Sequence, residues 1–155
     1  MPDALGVDVG GVLITPTDGS EDLARPEVSG AIDALARLAR ERFGERMFVV
    51  SKCAAATEPR TREWLAHHQF FRRTGITADR IHFCRTREGK APIAARLGLT
   101  HFVDDRLEVL SHLTTVPHRF LFRPSETEIE QFGQHLAAVH RVESWPDVVD
   151  ALIPS

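Results

Sequence analysis

At 155 residues the chain is long enough for one domain with a full core. Hydrophobic residues make up 43%, charged residues 26%, and the net charge is −3, so no general electrostatic attraction to nucleic acid or to a membrane surface is expected. Two cysteines, Cys53 and Cys84, make no disulfide framework, no segment reaches the roughly 18 apolar residues of a membrane span, and Met1-Pro2-Asp3-Ala4 lacks the start of a signal peptide, so a cytoplasmic protein is expected.

In chain order, Ala4 to Val9 reads as a short buried strand closed by Gly10-Gly11. Thr15 to Ser20 is a loop. Pro26 opens a helix in which Val28, Ala31, Ile32, Leu35, Leu38 and Ala39 recur at helical spacing, and Gly44 stops it. Met47 to Val50 is a second strand, ending at Ser51. Thr57 is placed as the N-cap of a helix to about Gln69, with Trp64 and Leu65 inward. Ile81 to Cys84 is a third strand, and Lys90 to Leu97 a helix closed by Gly98. His101 to Val103 is a fourth strand, ending in Asp104-Asp105, with a helix from Arg106 to Leu113. Arg119 to Phe122 is a fifth. Ser125-x-x-Glu128 reads as a capping box opening a helix with Ile129, Phe132 and Leu136 inward. Val139 to Val142 fits strand and loop equally, and Ser144-Trp145-Pro146 opens a last short helix. Short, non-alternating apolar strands separated by helices give an α/β fold: a single Rossmann-like, doubly wound, parallel five-stranded sheet with helices on both faces.

In such sheets function gathers at the carboxyl ends of the strands. Asp8, Ser51 and Asp104 each fall at such an end. Alone, Asp8 reads equally well as a turn cap; with Asp104 on the same edge it reads as half of a hard-oxygen site suited to Mg²⁺, able also to attack phosphorus. Asp105 can cap the following helix or support the metal ligands from behind. Ser51 can donate its hydroxyl to a phosphate oxygen, and Lys90 can balance the charge a phosphate brings. Of the 19 basic residues only Lys52 and Lys90 are lysines, which favours a compact point charge at both places. Arg60 to Lys90 is locally basic and reads either as a rim attracting an anionic substrate or as a solvated face. His67-His68 show no metal-ligand spacing.

The segments Asp8-Val9-Gly10-Gly11-Val12-Leu13, the strand ending in Ser51, Lys90, and Phe102-Val103-Asp104-Asp105 resemble, in order and over nearly the whole chain, the four motifs of the haloacid dehalogenase-like superfamily. The resemblance implies one core domain over 1–155, Mg²⁺ held by Asp8, the Gly10 carbonyl and Asp104, an aspartyl-phosphate on Asp8, and phosphate contacts from Ser51, Lys52 and Gly11. It also exposes two departures. Phosphatases of that superfamily carry an aspartate as general acid two residues after the nucleophile, where this chain has Gly10; losing such a group lowers the rate by about 10²–10⁴. The intervals Asp8–Ser51 and Ser51–Lys90 leave no room for a large cap domain, so the site is expected to be open, covered by another subunit of a homo-oligomer, or used on a large substrate. The expected function is a Mg²⁺-dependent phosphatase acting on a phosphorylated small molecule or nucleotide, with Asp18 or Glu21 as candidate replacement acids. The alternatives are a weakly active or inactive phosphate-binding module, and carbon–halogen or carbon–phosphorus cleavage at Asp8.

Overall fold

A computed structural model describes residues 2–16 and 23–154. Its strands are β1 (Leu5–Val7), β2 (Met47–Lys52), β3 (Ile81–Cys84), β4 (His101–Asp104), β5 (His118–Phe122) and β6 (His140–Val142). They form one parallel sheet in the order β3-β2-β1-β4-β5-β6. The chain starts in the middle, builds outward to β3, then crosses back to lay β4 on the free side of β1. That reversal opens a crevice between the carboxyl ends of β1 and β4. Register makes the crevice level: Val7 lies opposite both Val49 and Val103, so Asp8 and Asp104 leave their strands side by side. The Asp8 N–H donates to the Val103 carbonyl at 3.0 Å, locking that alignment.

Helices cover both faces. On one lie α1 (Ala31–Leu38), α2 (Thr57–His67), α3 (Phe70–Thr74) and α7 (Trp145–Leu152), whose Ile32, Leu35, Trp64, Phe70, Trp145 and Val148 pack on Leu5, Val7, Val49 and Val103. On the other lie α4 (Lys90–Leu97), α5 (Leu107–His112) and α6 (Glu126–Phe132), with Ala94, Leu107 and Leu110 against Val50, Phe102 and Leu121. Alternate strand residues thus feed two cores, and neither face can be polar, which is why the strands read as unbroken apolar runs. In central β1 a methyl group on Gly6 would sit 2.7 Å from the Phe102 ring, so that layer closes only over glycine. Among the described residues no helix is long and apolar enough to cross a membrane.

Four expectations need correction. The sheet has six strands, not five: β6 is three residues long, two of them exposed and polar, and it adds to the sheet edge through backbone pairing with β5. The helix expected from Pro26 starts at Ala31, because Gly30 takes a left-handed φ of 77° and the segment before it pairs with the β1 exit, Val28 N–H bonding the Leu13 carbonyl at 2.8 Å. Beyond Leu38 this helix ends in one wide turn, Ala39–Phe43. Thr57 is the first residue of α2, not its cap; the helix ends at His67, close to the expected Gln69, and past Gln69, with φ 60°, an unexpected short helix, α3, follows. In the capping box Ser125 Oγ accepts from the Glu128 N–H at 3.1 Å, but the Glu128 carboxylate turns away and accepts from the Glu108 N–H at 3.0 Å. The residue α6 buries is therefore Glu128, while Ile129, Phe132 and Leu136 are half-buried.

The core also holds a titrating group. His101 is buried against Phe43 and stacked on His118; burial first, then the Arg42 and His118 charges, push its pKa down to about 4. The unfolded chain takes up this proton near pH 6.5 and the folded chain only near pH 4, so the stability contributed by a neutral His101 is full above pH 6.5 and declines between those values. His101 by itself is expected to take away about 2–3 kcal/mol between pH 7 and 4. Urea unfolding of the protein and of His101→Phe at both pH values checks this: the difference between the two should shrink by that amount on acidification if His101 titrates as described.

Candidate active site

Three elements deliver three charged groups to one point. Asp8, 8% exposed, follows β1; Asp104, fully buried, ends β4; Lys90, 2% exposed, opens α4. The Lys90 ammonium donates to Asp8 Oδ1 and to Asp104 Oδ2, both at 2.8 Å. The other Asp104 oxygen accepts from the Arg106 N–H at 3.0 Å, fixing the turn into α5. A single tetrahedral donor bridging two carboxylates in a closed slot, above the Phe102 ring at 5.7 Å, suits lysine and not the planar fork of arginine.

Asp105 completes the cluster. One oxygen from each of Asp8, Asp104 and Asp105 lies within 4.8 Å of the others. Its carboxylate stands where a side chain on Gly11 would fall, and Gly11 has φ 76°, so glycine is required there on two counts. Three carboxylates face one ammonium. Burial, and then the charge on Asp8, push the Asp104 pKa up to about 6 and that of Asp105 up to about 8. Burial alone would lower the Lys90 pKa, but the charges of Asp104 and Asp8 raise it above its ordinary value, so the ammonium stays protonated. Crowded hard oxygens with surplus negative charge fit a Mg²⁺-type cation and not a soft metal.

Around the cluster is a cleft of about 350 Å³, into which the sequence-predicted Gly10, Gly11, Ser51 and Lys52 also face. Ser51 is 5% exposed, Lys52 is exposed, and the Gly11 N–H is already given to the Ile14 carbonyl at 2.9 Å. Among the described residues nothing lies within 4 Å of where a Gly10 side chain would project. Asp18 and Glu21, the candidate replacement acids, lie outside the described residues.

Sequence reading missed Arg25, Arg87 and Arg106 as cleft residues. Arg87 pairs with Glu108 at 2.7 Å, and Arg106 approaches Glu128 at 3.7 Å. Arg87 lay in the basic segment already noticed, but that segment forms no single rim. Arg62 bonds the Ala78 and Ile81 carbonyls, Arg73 pairs with Glu27 and Asp33, and Arg85 with Glu58. His68 is structural, stacked 3.9 Å from Trp64.

Solved structures share this architecture. A D,D-heptose 1,7-bisphosphate phosphatase from B. bronchiseptica, in complex with magnesium and phosphate, aligns over 97% of this chain and 98% of its own, with TM-score 0.69 and 18% identity. A haloacid dehalogenase family hydrolase from Deinococcus radiodurans, with bound phosphate and sodium, aligns over 97% and 95%, with TM-score 0.63 and 12% identity. The chain has the fold of the haloacid dehalogenase-like hydrolases. At such identities the likeness is one of fold, and the residues of the site must carry any statement of chemistry. No family model matches the chain, and no curated protein matches it in sequence.

Proposed function

We propose that the protein is a Mg²⁺-dependent, haloacid dehalogenase-like phosphatase acting on a phosphomonoester through an aspartyl-phosphate at Asp8. The observation that supports it most is the Lys90 bridge between Asp8 and Asp104, with Asp105 alongside, at the crevice where the strand order reverses. Asp8, Asp104 and Asp105, with the Gly10 carbonyl within the same cleft, are the groups that would hold Mg²⁺. When bound, the cation supplies the positive charge that lets an anionic carboxylate approach an anionic phosphate.

The remaining roles belong to the chain. An Asp8 carboxylate oxygen bonds to phosphorus as the P–O bond to the leaving group breaks, and the leaving oxygen departs with that electron pair. Water then cleaves the acyl-phosphate, returning the Asp8 carboxylate and releasing phosphate. Lys90 stays protonated and holds Asp8 in line. The Ser51 hydroxyl and the Lys52 ammonium receive the phosphate oxygens. No side chain at position 10 can protonate the leaving oxygen. That vacancy favours one second reading, a phosphate-binding module with little or no turnover.

Phosphate release from aryl and alkyl phosphomonoesters, with and without Mg²⁺, tests the proposal beside thermal unfolding. Saturating Mg²⁺, about 100-fold above its Kd, should add about 2.7 kcal/mol, a rise in Tm of roughly 5–10 °C. Turnover of both sets means that another group replaces the acid; turnover of aryl phosphates alone means that the nucleophile works without one. A Tm rise with no turnover selects the binding module, and no Tm rise sinks the metal site.

A further inference from the structure

A second cavity, of about 200 Å³, opens beside the catalytic cleft. Among the described residues Val9, Ile14, Leu23 and Trp64 give it an apolar wall, and Arg25, Thr57, Arg60 and Thr61 line much of the rest. Gly10, Arg25, Ser51 and Lys52 line both cavities, so the two meet where the phosphate is proposed to sit. Gly10 lies where they meet, and among the described residues no atom comes within 4 Å of where a side chain on it would start. Trp64 is a fixed wall: it is 4% exposed, its Nε1–H donates to the Arg25 carbonyl at 2.9 Å, and His68 stacks against its ring. With that N–H engaged, the indole can offer the cavity only carbon.

Resting on the phosphatase reading above, we infer that this pocket receives the leaving group and that the leaving group is an aromatic ring, making aryl phosphomonoesters the substrate class. Two independent observations converge on it. The first is shape and polarity. An apolar cavity of about 150 Å³ is enough to hold a benzene ring, and an indole edge or face against such a ring adds to simple burial. The second is chemical. A phenol-type oxygen has a pKa near 10, whereas an aliphatic alkoxide is roughly as basic as hydroxide, about six pKa units higher. An aryloxide leaves without a proton at pH 7, and position 10 supplies none. The missing acid and the Trp64-walled pocket point to the same leaving group: position 10 supplies no proton donor, and the pocket that Gly10 lines offers an aromatic wall. An alkyl chain would also fill the pocket, but its oxygen would leave as a strong base.

The test compares phenyl phosphate, butyl phosphate and acetyl phosphate with the intact protein and Mg²⁺. Acetyl phosphate needs neither pocket nor acid. Phenyl phosphate should exceed butyl phosphate in kcat/KM by about 10² or more. Thr57→Phe, which places a ring in the pocket wall, should lower the phenyl-to-acetyl ratio of kcat/KM by about tenfold or more. As a readout needing no variant, phenylphosphonate should inhibit acetyl phosphate hydrolysis about tenfold more tightly than methylphosphonate. Turnover of a phosphotyrosyl peptide alongside phenyl phosphate would place the ring on a polypeptide, and phenyl phosphate alone would place it on a small molecule; either result upholds the aryl class. Equal turnover of phenyl and butyl phosphate, or equal inhibition by the two phosphonates, overturns the inference and leaves the phosphatase standing. No turnover of any of the substrates, acetyl phosphate included, overturns the phosphatase reading and this inference with it.

Discussion

Asp8→Asn is expected to lower kcat by at least about 10⁴-fold on every substrate, because it removes the atom that bonds to phosphorus and not a group that merely assists. The substitution changes almost nothing else. Asparagine keeps the shape of aspartate and still offers Lys90 an oxygen where Asp8 Oδ1 accepts at 2.8 Å. It also removes the negative charge whose field raises the pKa of both Asp104 and Asp105. Metal-free stability should therefore hold or rise while activity disappears, a combination that separates a lost nucleophile from a lost fold. Intact-mass analysis of the unsubstituted protein, quenched during turnover, should show one added phosphoryl group that Asp8→Asn lacks. Retention of more than about 1% of kcat would mean that Asp8 is not the nucleophile, however well placed it is.

The parts of this site that the sequence reveals are those that sit on regular elements. Asp8, Ser51 and Asp104 can be found because each ends an apolar run, and a parallel sheet brings such ends to one edge. Lys90 can be found because it opens a helix beside that edge. What the sequence hides depends on turns and on neighbours. Asp105 looks like a helix cap, and its entry into the carboxylate cluster follows from the β4 exit and from the bare backbone of Gly11. Glu128 looks like half of a capping box, yet it reaches across to the Glu108 N–H at the start of α5 and approaches Arg106, a cleft residue. β6 is hidden because His140 and Arg141 face solvent at an edge, where backbone pairing and not side-chain burial makes a strand. Gly10 shows what it lacks in the sequence alone, but that it lines a second cavity walled by Trp64 appears only in the structure.

Lys90→Met is expected to destabilise the metal-free protein by about 3–5 kcal/mol at neutral pH, because it leaves two buried carboxylates without the cation that neutralises them. Methionine fits the slot nearly as well as lysine, so the loss is electrostatic rather than one of packing. Asp104 is fully buried and cannot regain solvation; its remaining recourse is to take up a proton or a cation. Two comparisons follow. Mg²⁺ should recover a large part of the loss, since a cation among Asp8, Asp104 and Asp105 replaces the missing charge. Lys90→Met combined with Asp104→Asn should be less destabilised than the sum of the two single changes, by about 1–3 kcal/mol, because each single variant strands the other partner's charge. Lys90→Arg should not restore stability: an ammonium that is 2% exposed and meets two oxygens at 2.8 Å leaves no room for a guanidinium. Urea unfolding of the unsubstituted protein and of these four variants, with and without Mg²⁺, measures these quantities. Additive losses that ignore Mg²⁺ would show that Lys90 supports the fold by packing alone, and the charge balance drawn here for the site would have to be abandoned.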